Sequence, residues 1–86
     1  MNYKKKLKEI DSVLEQLKTM KNPASLTALF TEKNESLPKQ GLTLKECIKR
    51  NNITIFDIKE HFNLFDKIPK TVLDYINTEI KYEGYI

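Results

Sequence analysis

The stretch Thr43-Leu44-Lys45-Glu46-Cys47-Ile48-Lys49-Arg50-Asn51-Asn52-Ile53-Thr54-Ile55-Phe56-Asp57-Ile58-Lys59-Glu60-His61-Phe62 decides the fold. Thr43 and Glu46 stand three apart at the head of an apolar pattern, which is a capping box: the hydroxyl accepts from the amide three residues on, and the acid reaches back. Thr54 and Asp57 repeat the design. Two short helices are therefore predicted, over 44–50 and 55–62, joined by Asn51-Asn52-Ile53. Leu44, Ile48, Ile53, Phe56, Ile58 and Phe62 supply the apolar surface that folds them against one another.

Outward from this pair the helical period continues. Tyr3, Leu7, Ile10, Leu14 and Leu17 recur at steps of four and three, with Met20 three further on. That stripe predicts an amphipathic helix over 3–21, about 27 Å long. It is too short for an autonomous coiled coil, so it reads as a face that packs on another helix. Asn22-Pro23 suits the next start, asparagine as cap and proline in the first helical position. Leu26, Leu29 and Phe30 then share a face as far as Thr31, and Lys33 to Gly41 reads as loop. A last helix begins near Pro69 with Val72, Leu73, Ile76 and Ile80 as its buried stripe. Neither period-two alternation nor a short Asn-Gly or Gly-Gly turn is present, so no sheet is expected. The expectation is an all-α fold, a small bundle of about five helices, one long and several short. Residues 1–86 read as one helical domain: the long helix 3–21, a short helix and loop over 22–42, and the capped helices and terminal helix over 43–86.

Composition agrees with that class. The 86 residues are 40% apolar and 31% charged, which fits a packed chain and not a disordered one. A chain of this length buries roughly 60 to 65 per cent of its unfolded surface. No apolar run approaches the ~20 residues of a membrane span, and no apolar stretch follows the lysines at the amino terminus as a secretory signal would require. The single cysteine, Cys47, allows neither an internal disulfide nor a thiolate metal cluster, and a reducing cytoplasm is the natural setting. The net charge of +3 lies in residues 1–21, where six lysines face three acids. Such an end either meets an RNA backbone or forms an ordinary solvated face.

Catalytic chemistry is not legible. With only Gly41 and Gly84, neither a phosphate-cradling loop nor a dinucleotide fingerprint can be assembled. His61 has no second ligand at metal spacing, Ser12, Ser25 and Ser36 lack an elbow, and Asp57 is explained as a cap. Cys47 reads as a small buried hydrophobe. Tyr75 and Tyr82 share a helix face and either stack on bases or a partner or pack at the rim of the core. Gly84 falls on the buried stripe of the last helix, where it costs about 1 kcal/mol relative to alanine and would let another helix come close. If Gly84 capped that helix, Tyr85 and Ile86 would be a frayed apolar tail. The pattern reads better as a helix still running, and hence as an excerpt of a larger helical domain.

The phrase Glu79-Ile80-Lys81-Tyr82-Glu83-Gly84-Tyr85-Ile86 resembles the "E-I-K-Y-E-G-Y-I" segment in the carboxy-terminal helical region of the MnmG (GidA) family, flavoenzymes that modify the wobble uridine of certain tRNAs. Tyr3 to Lys21 is similar to that family's charged helix, and Asn22-Pro23 to the "x-N-P" step after it. Leu42 to Arg50 is similar to the "s-L-a-e-L-L-R/K-R-P" segment, and Asn52 to Ile58 to "e-I-t-Y-e-D-L". One position departs. Asn51 stands where the family usually has proline, so the break after the helix falls to Asn51-Asn52, asparagine tolerating the left-handed conformation. The resemblance implies a recognition module of an enzyme whose other part carries FAD and uses NADH and methylene-tetrahydrofolate. It implies tRNA and the GTPase MnmE as partners, a homodimeric parent, and no metal or membrane. Lys49 and Arg50, matching the family's basic pair, and Lys81, in the matched run, are the residues it points to, with Lys45, Tyr82 and Tyr85 beside them. Pattern alone keeps two other readings open: a helix-turn-helix with 55–62 as recognition helix, and a general helical protein-interaction domain. Against the first, residues 55–62 carry two acids and one lysine, where base and phosphate contacts favour Arg, Lys, Asn and Gln.

Overall fold

The computed structural model describes residues 3–83, which form five helices and one very short sheet. In chain order these are α1 (Tyr3–Gln16), β1 (Met20–Lys21), α2 (Pro23–Glu32), β2 (Leu42–Thr43), α3 (Leu44–Ile48), α4 (Ile55–Phe62) and α5 (Lys70–Glu83). The helical class is as the sequence predicts. Gly84 and Tyr85 lie outside the described residues.

The core is one apolar cluster drawn from every helix. Leu26, Leu29 and Phe30 of α2 are buried against Leu44, Cys47 and Ile48 of α3, Ile55 and Ile58 of α4, and the expected stripe of α5, Val72, Leu73, Ile76 and Ile80. Asn22 caps α2 as predicted, its Oδ1 accepting from the Ser25 amide at 2.8 Å, with Pro23 at the first helical position. Among the described residues no polar or charged residue is fully buried.

Three expectations are corrected. The first helix, expected over 3–21, ends at Gln16. The carbonyls that would have continued it are turned towards α3: Thr19 O accepts from the Leu44 amide and Leu17 O from the Lys45 amide, both at 3.1 Å. They satisfy amides at the start of α3 that have no partner inside their own helix. Met20 and Lys21 then pair antiparallel with Thr43 and Leu42, so a minimal sheet exists where none was expected. Periodicity cannot announce a strand of two residues. Gly41 belongs to this join: a β-carbon there would stand 3.0 Å from Lys21 O and 3.2 Å from Met20 Sδ. The buried stripe of α1 is also rotated. Val13 and Leu17 are buried, whereas Leu7 and Leu14 remain 43% and 38% exposed and Met20 62%.

The remaining turns use asparagine differently from expectation. Asn51 and Asn52 keep negative φ, and the break after α3 is made by tight backbone turns, Arg50 N donating to Cys47 O and Ile53 N to Arg50 O. The left-handed asparagines are Asn34 and Asn63, the latter closing α4. Phe65 also has φ of 63° and is nearly buried, so its place in the core is held against the ordinary backbone preference of an aromatic residue.

Candidate functional site

The candidate residues gather around the turn between α3 and α4, and local chemistry places the turn. Thr43 caps α3, accepting from the Glu46 amide at 3.1 Å; Glu46 returns to the threonine hydroxyl and not to its amide, since the backbone of Thr43 lies in β2. Thr54 caps α4 with the full box: Asp57 Oδ2 accepts from the Thr54 amide at 2.9 Å and Thr54 Oγ1 from the Asp57 amide. The two helices are thereby fixed on either side of residues 49–53.

Lys49, at the end of α3, is exposed. Arg50 is half-buried, its guanidinium carbon 5.7 Å from the centre of the Phe30 ring. That ring is a platform that holds the cation by its quadrupole and its apolar face. The Asn52 amide donates to Glu35 Oε2 at 2.9 Å. Lys81 is placed otherwise than the sequence suggests. Its ammonium is turned into the turn, donating to the carbonyls of both Arg50 and Ile53. Burial pushes the Lys81 pKa down, against the opposing pull of Glu35 and Asp57. Lys45, one helical turn before Lys49, is paired with Glu83 Oε1 at 3.2 Å, both ends partly in solvent. The structure thus places Lys81 against the backbone of the turn that follows Lys49, with Lys45 paired to Glu83 of the same helix α5.

Asp57 has a second task. Its Oδ1 meets Lys33 Nζ at 2.9 Å, tying the end of α2 to the start of α4. Burial pulls the Asp57 carboxyl up, but the hydrogen bonds and charge of Lys33 and Thr54 together outweigh it and leave the carboxyl below its ordinary value. Lys33 is raised by the same hydrogen bond and charge.

Other candidates behave as bystanders to this turn. Cys47 is buried, and desolvation with the charge of Glu46 pushes its thiol up to about 11, so it stays neutral and weakly reactive. His61 is exposed and stacks edge-on against Phe62 at 4.7 Å, and no cluster of three potential metal ligands occurs among the described residues. Lys21 Nζ stands 4.9 Å from the Phe62 ring on the far side of the sheet join. Tyr75 and Tyr82 are 50% and 65% exposed on α5. Tyr75 also borders an open groove of about 300 Å³ between α1 and α5, floored by Ile10, Leu14, Ile76 and Ile80. No described helix is long and apolar enough to cross a membrane.

Sequence reasoning missed the partners that hold the turn. Phe30, Glu35 and Asn77 come from 17 to 22 residues away or from another helix, and nothing in the local pattern marks them. The accessible hint was Asn77 itself, a polar residue between Ile76 and Ile80 on a helix whose neighbouring positions are core.

Fold and turn together define a small helical domain in which two capped helices are tied together by a third. The chain belongs to the family described as the tRNA modifying enzyme MnmG/GidA C-terminal helical domain, whose model matches residues 1–86. Two similar proteins are each a tRNA uridine 5-carboxymethylaminomethyl modification enzyme MnmG. That of Onion yellows phytoplasma is 34% identical over 88 residues, covering 99% of this chain and 14% of that protein. That of Caldicellulosiruptor saccharolyticus is 33% identical over 86 residues, covering 98% of this chain and 14% of that protein. The chain therefore spans about one seventh of the length of these relatives. No solved structure matches it significantly.

Proposed function

We propose that this domain is a recognition module of a tRNA wobble-uridine modification enzyme and that it contributes binding, not chemistry. The observation that carries the reading is the α3–α4 turn, where an exposed Lys49 is followed by an Arg50 braced on Phe30, on a turn fixed from both flanks. Two cations on a rigid tip suit a phosphate backbone, since ordering them costs little further entropy on binding. Tyr82 adds an aromatic surface further along the same helix that reaches the turn. Lys45, engaged with Glu83, has a smaller part.

By likeness to the MnmG relatives, the parent enzyme carries FAD and draws on NADH and methylene-tetrahydrofolate outside these residues, works as a cytoplasmic homodimer, and docks the GTPase MnmE. The protein contact and the RNA contact then share one helical surface, and of the two the basic turn favours RNA. The sequence pattern's rival, a DNA-reading α4, has less to support it: Ile55 and Ile58 are buried, Asp57 is pinned to Lys33, and Lys59 is the one lysine or arginine on that helix.

Filter binding of the intact protein to tRNA at several salt concentrations tests the proposal. Lys49→Glu is expected to weaken binding and to reduce the magnitude of the slope of log affinity against log salt by about 0.7 to 0.9, one phosphate contact. Unaltered affinity and slope would make Lys49 a solvated helix end and remove the basis of the assignment.

A further inference from the structure

We infer that Asn77 and Lys81 of α5 are positioning residues for the basic turn, so that Lys81 serves RNA binding by setting the backbone that carries Lys49 and Arg50 and not by touching RNA itself. The inference rests on the reading of that turn as the RNA-binding site.

Asn77 and Lys81 are four apart on α5, hence one turn apart on the same edge of the helix. Asn77 Oδ1 accepts from the Ile55 amide at 2.9 Å, the first amide of α4, which has no partner within its own helix. One turn along, Lys81 donates to the carbonyls of Arg50 and Ile53. The two side chains therefore grip residues 50–55 at both ends, acceptor on donor and donor on acceptors. Nothing else among the described hydrogen bonds joins α5 to this turn.

The grip has two consequences for the site. The Arg50 carbonyl is drawn towards α5, so the backbone of Arg50 is fixed while its side chain lies over Phe30. The acids facing this ammonium, Glu35 and Asp57, are also offset by a charge inside the turn, Asp57 having Lys33 as well. Lys49 and Arg50 are then left to act outward. For Lys81 to reach a phosphate it would have to abandon both carbonyls, leaving that of Arg50 with the Ile53 amide alone and that of Ile53, partly buried, without its described donor, a loss that a single exposed phosphate contact does not offset.

Direct contact and positioning differ in how they respond to salt, because the slope counts phosphates neutralised and not how well the contacting groups are held. Lys81→Met in the intact protein is expected to lower tRNA affinity about tenfold at every salt concentration with the slope unchanged, and Lys81→Arg, which keeps a cation and donors, to recover most of the loss. Hydrogen exchange should show the Ile55 and Asn52 amides opening faster in Lys81→Met than in the parent. If Lys81→Met does not fold, as circular dichroism would reveal, Asn77→Ala carries the same test, with the same parallel displacement expected. A slope reduced as much as by Lys49→Glu would make Lys81 a direct contact and overturn the inference, as would unchanged affinity in a folded variant. Absence of salt-dependent tRNA binding by the unmodified protein would instead defeat the reading on which the inference rests.

Discussion

The two sides of α5 do opposite things with the same helix. One edge, Asn77 and Lys81, is polar and engaged, fastening the α3–α4 turn through long-range hydrogen bonds. The other, Tyr75 and Tyr82, is aromatic and exposed, and Tyr75 borders with Leu14 a groove that α1 and α5 leave between them. A rule that sends apolar residues inward and charges outward describes neither edge. What decides is whether a side chain has a specific unsatisfied group to reach. The carbonyls of a tight turn and the first amide of a helix are such groups, and they draw in a lysine and an asparagine. Tyr75, next to an incompletely filled groove, has no such claim on it.

The largest expected effect lies on the engaged side. Phe30 is fully buried and also carries the Arg50 guanidinium. Phe30→Ala removes a core ring and the platform together, and about 3 to 5 kcal/mol of stability should go with it, a large share of the 5 to 15 kcal/mol typical of a domain. Urea denaturation measures the loss. A cost below about 1 kcal/mol would mean that the turn is not packed on α2 as described.

Next in size is the tie between α2 and α4. Asp57→Ala removes the reciprocal half of the Thr54 cap and the partner of Lys33, and should cost about 1 kcal/mol at neutral pH, the usual worth of a lost cap. The pH dependence has a definite sign. Because the carboxyl is held below its ordinary value in the folded state, its stabilising contribution is present above the unfolded value of about 3.9 and is lost as pH falls through the lower folded value. Denaturant midpoints between neutrality and about pH 3 should therefore decline more in the parent than in Asp57→Ala. Parallel curves would show that the pair with Lys33 contributes nothing measurable.

The same contrast explains how far the sequence could be read. Four helix starts, the two threonine caps, the asparagine cap with Pro23, and the buried stripe of α5 were legible because each is a relation between residues three or four apart. The end of α1 was not, since it is set by amides of α3 some 25 residues on that claim the carbonyls of Leu17 and Thr19. The inward turn of Lys81 was not legible either, because sequence spacing does not say which carbonyls lie opposite a helix. The rotated face of α1 failed for a simpler reason. Val13 and Leu14 are adjacent apolar residues, and a stripe counted in steps of three and four can include either.

The smallest expected effect belongs to the open side, and it sharpens the comparison most directly. Tyr75 is half exposed, and its ring borders the groove without filling the core beneath it. Tyr75→Ser should therefore change stability by no more than about 0.5 kcal/mol, the range of surface substitutions, although it deletes an aromatic ring as Phe30→Ala does. Ile76 is the control: its neighbour in sequence, it is buried, and Ile76→Ala should cost about 2 to 5 kcal/mol. Both are read by the same denaturation curve. If Tyr75→Ser approached the cost of Ile76→Ala, the aromatic edge of α5 would be packed in solution, and the distinction between an engaged and an open side of this helix would be lost. A near-neutral result leaves Tyr75 as solvent-facing surface at the rim of the groove, as its half exposure indicates.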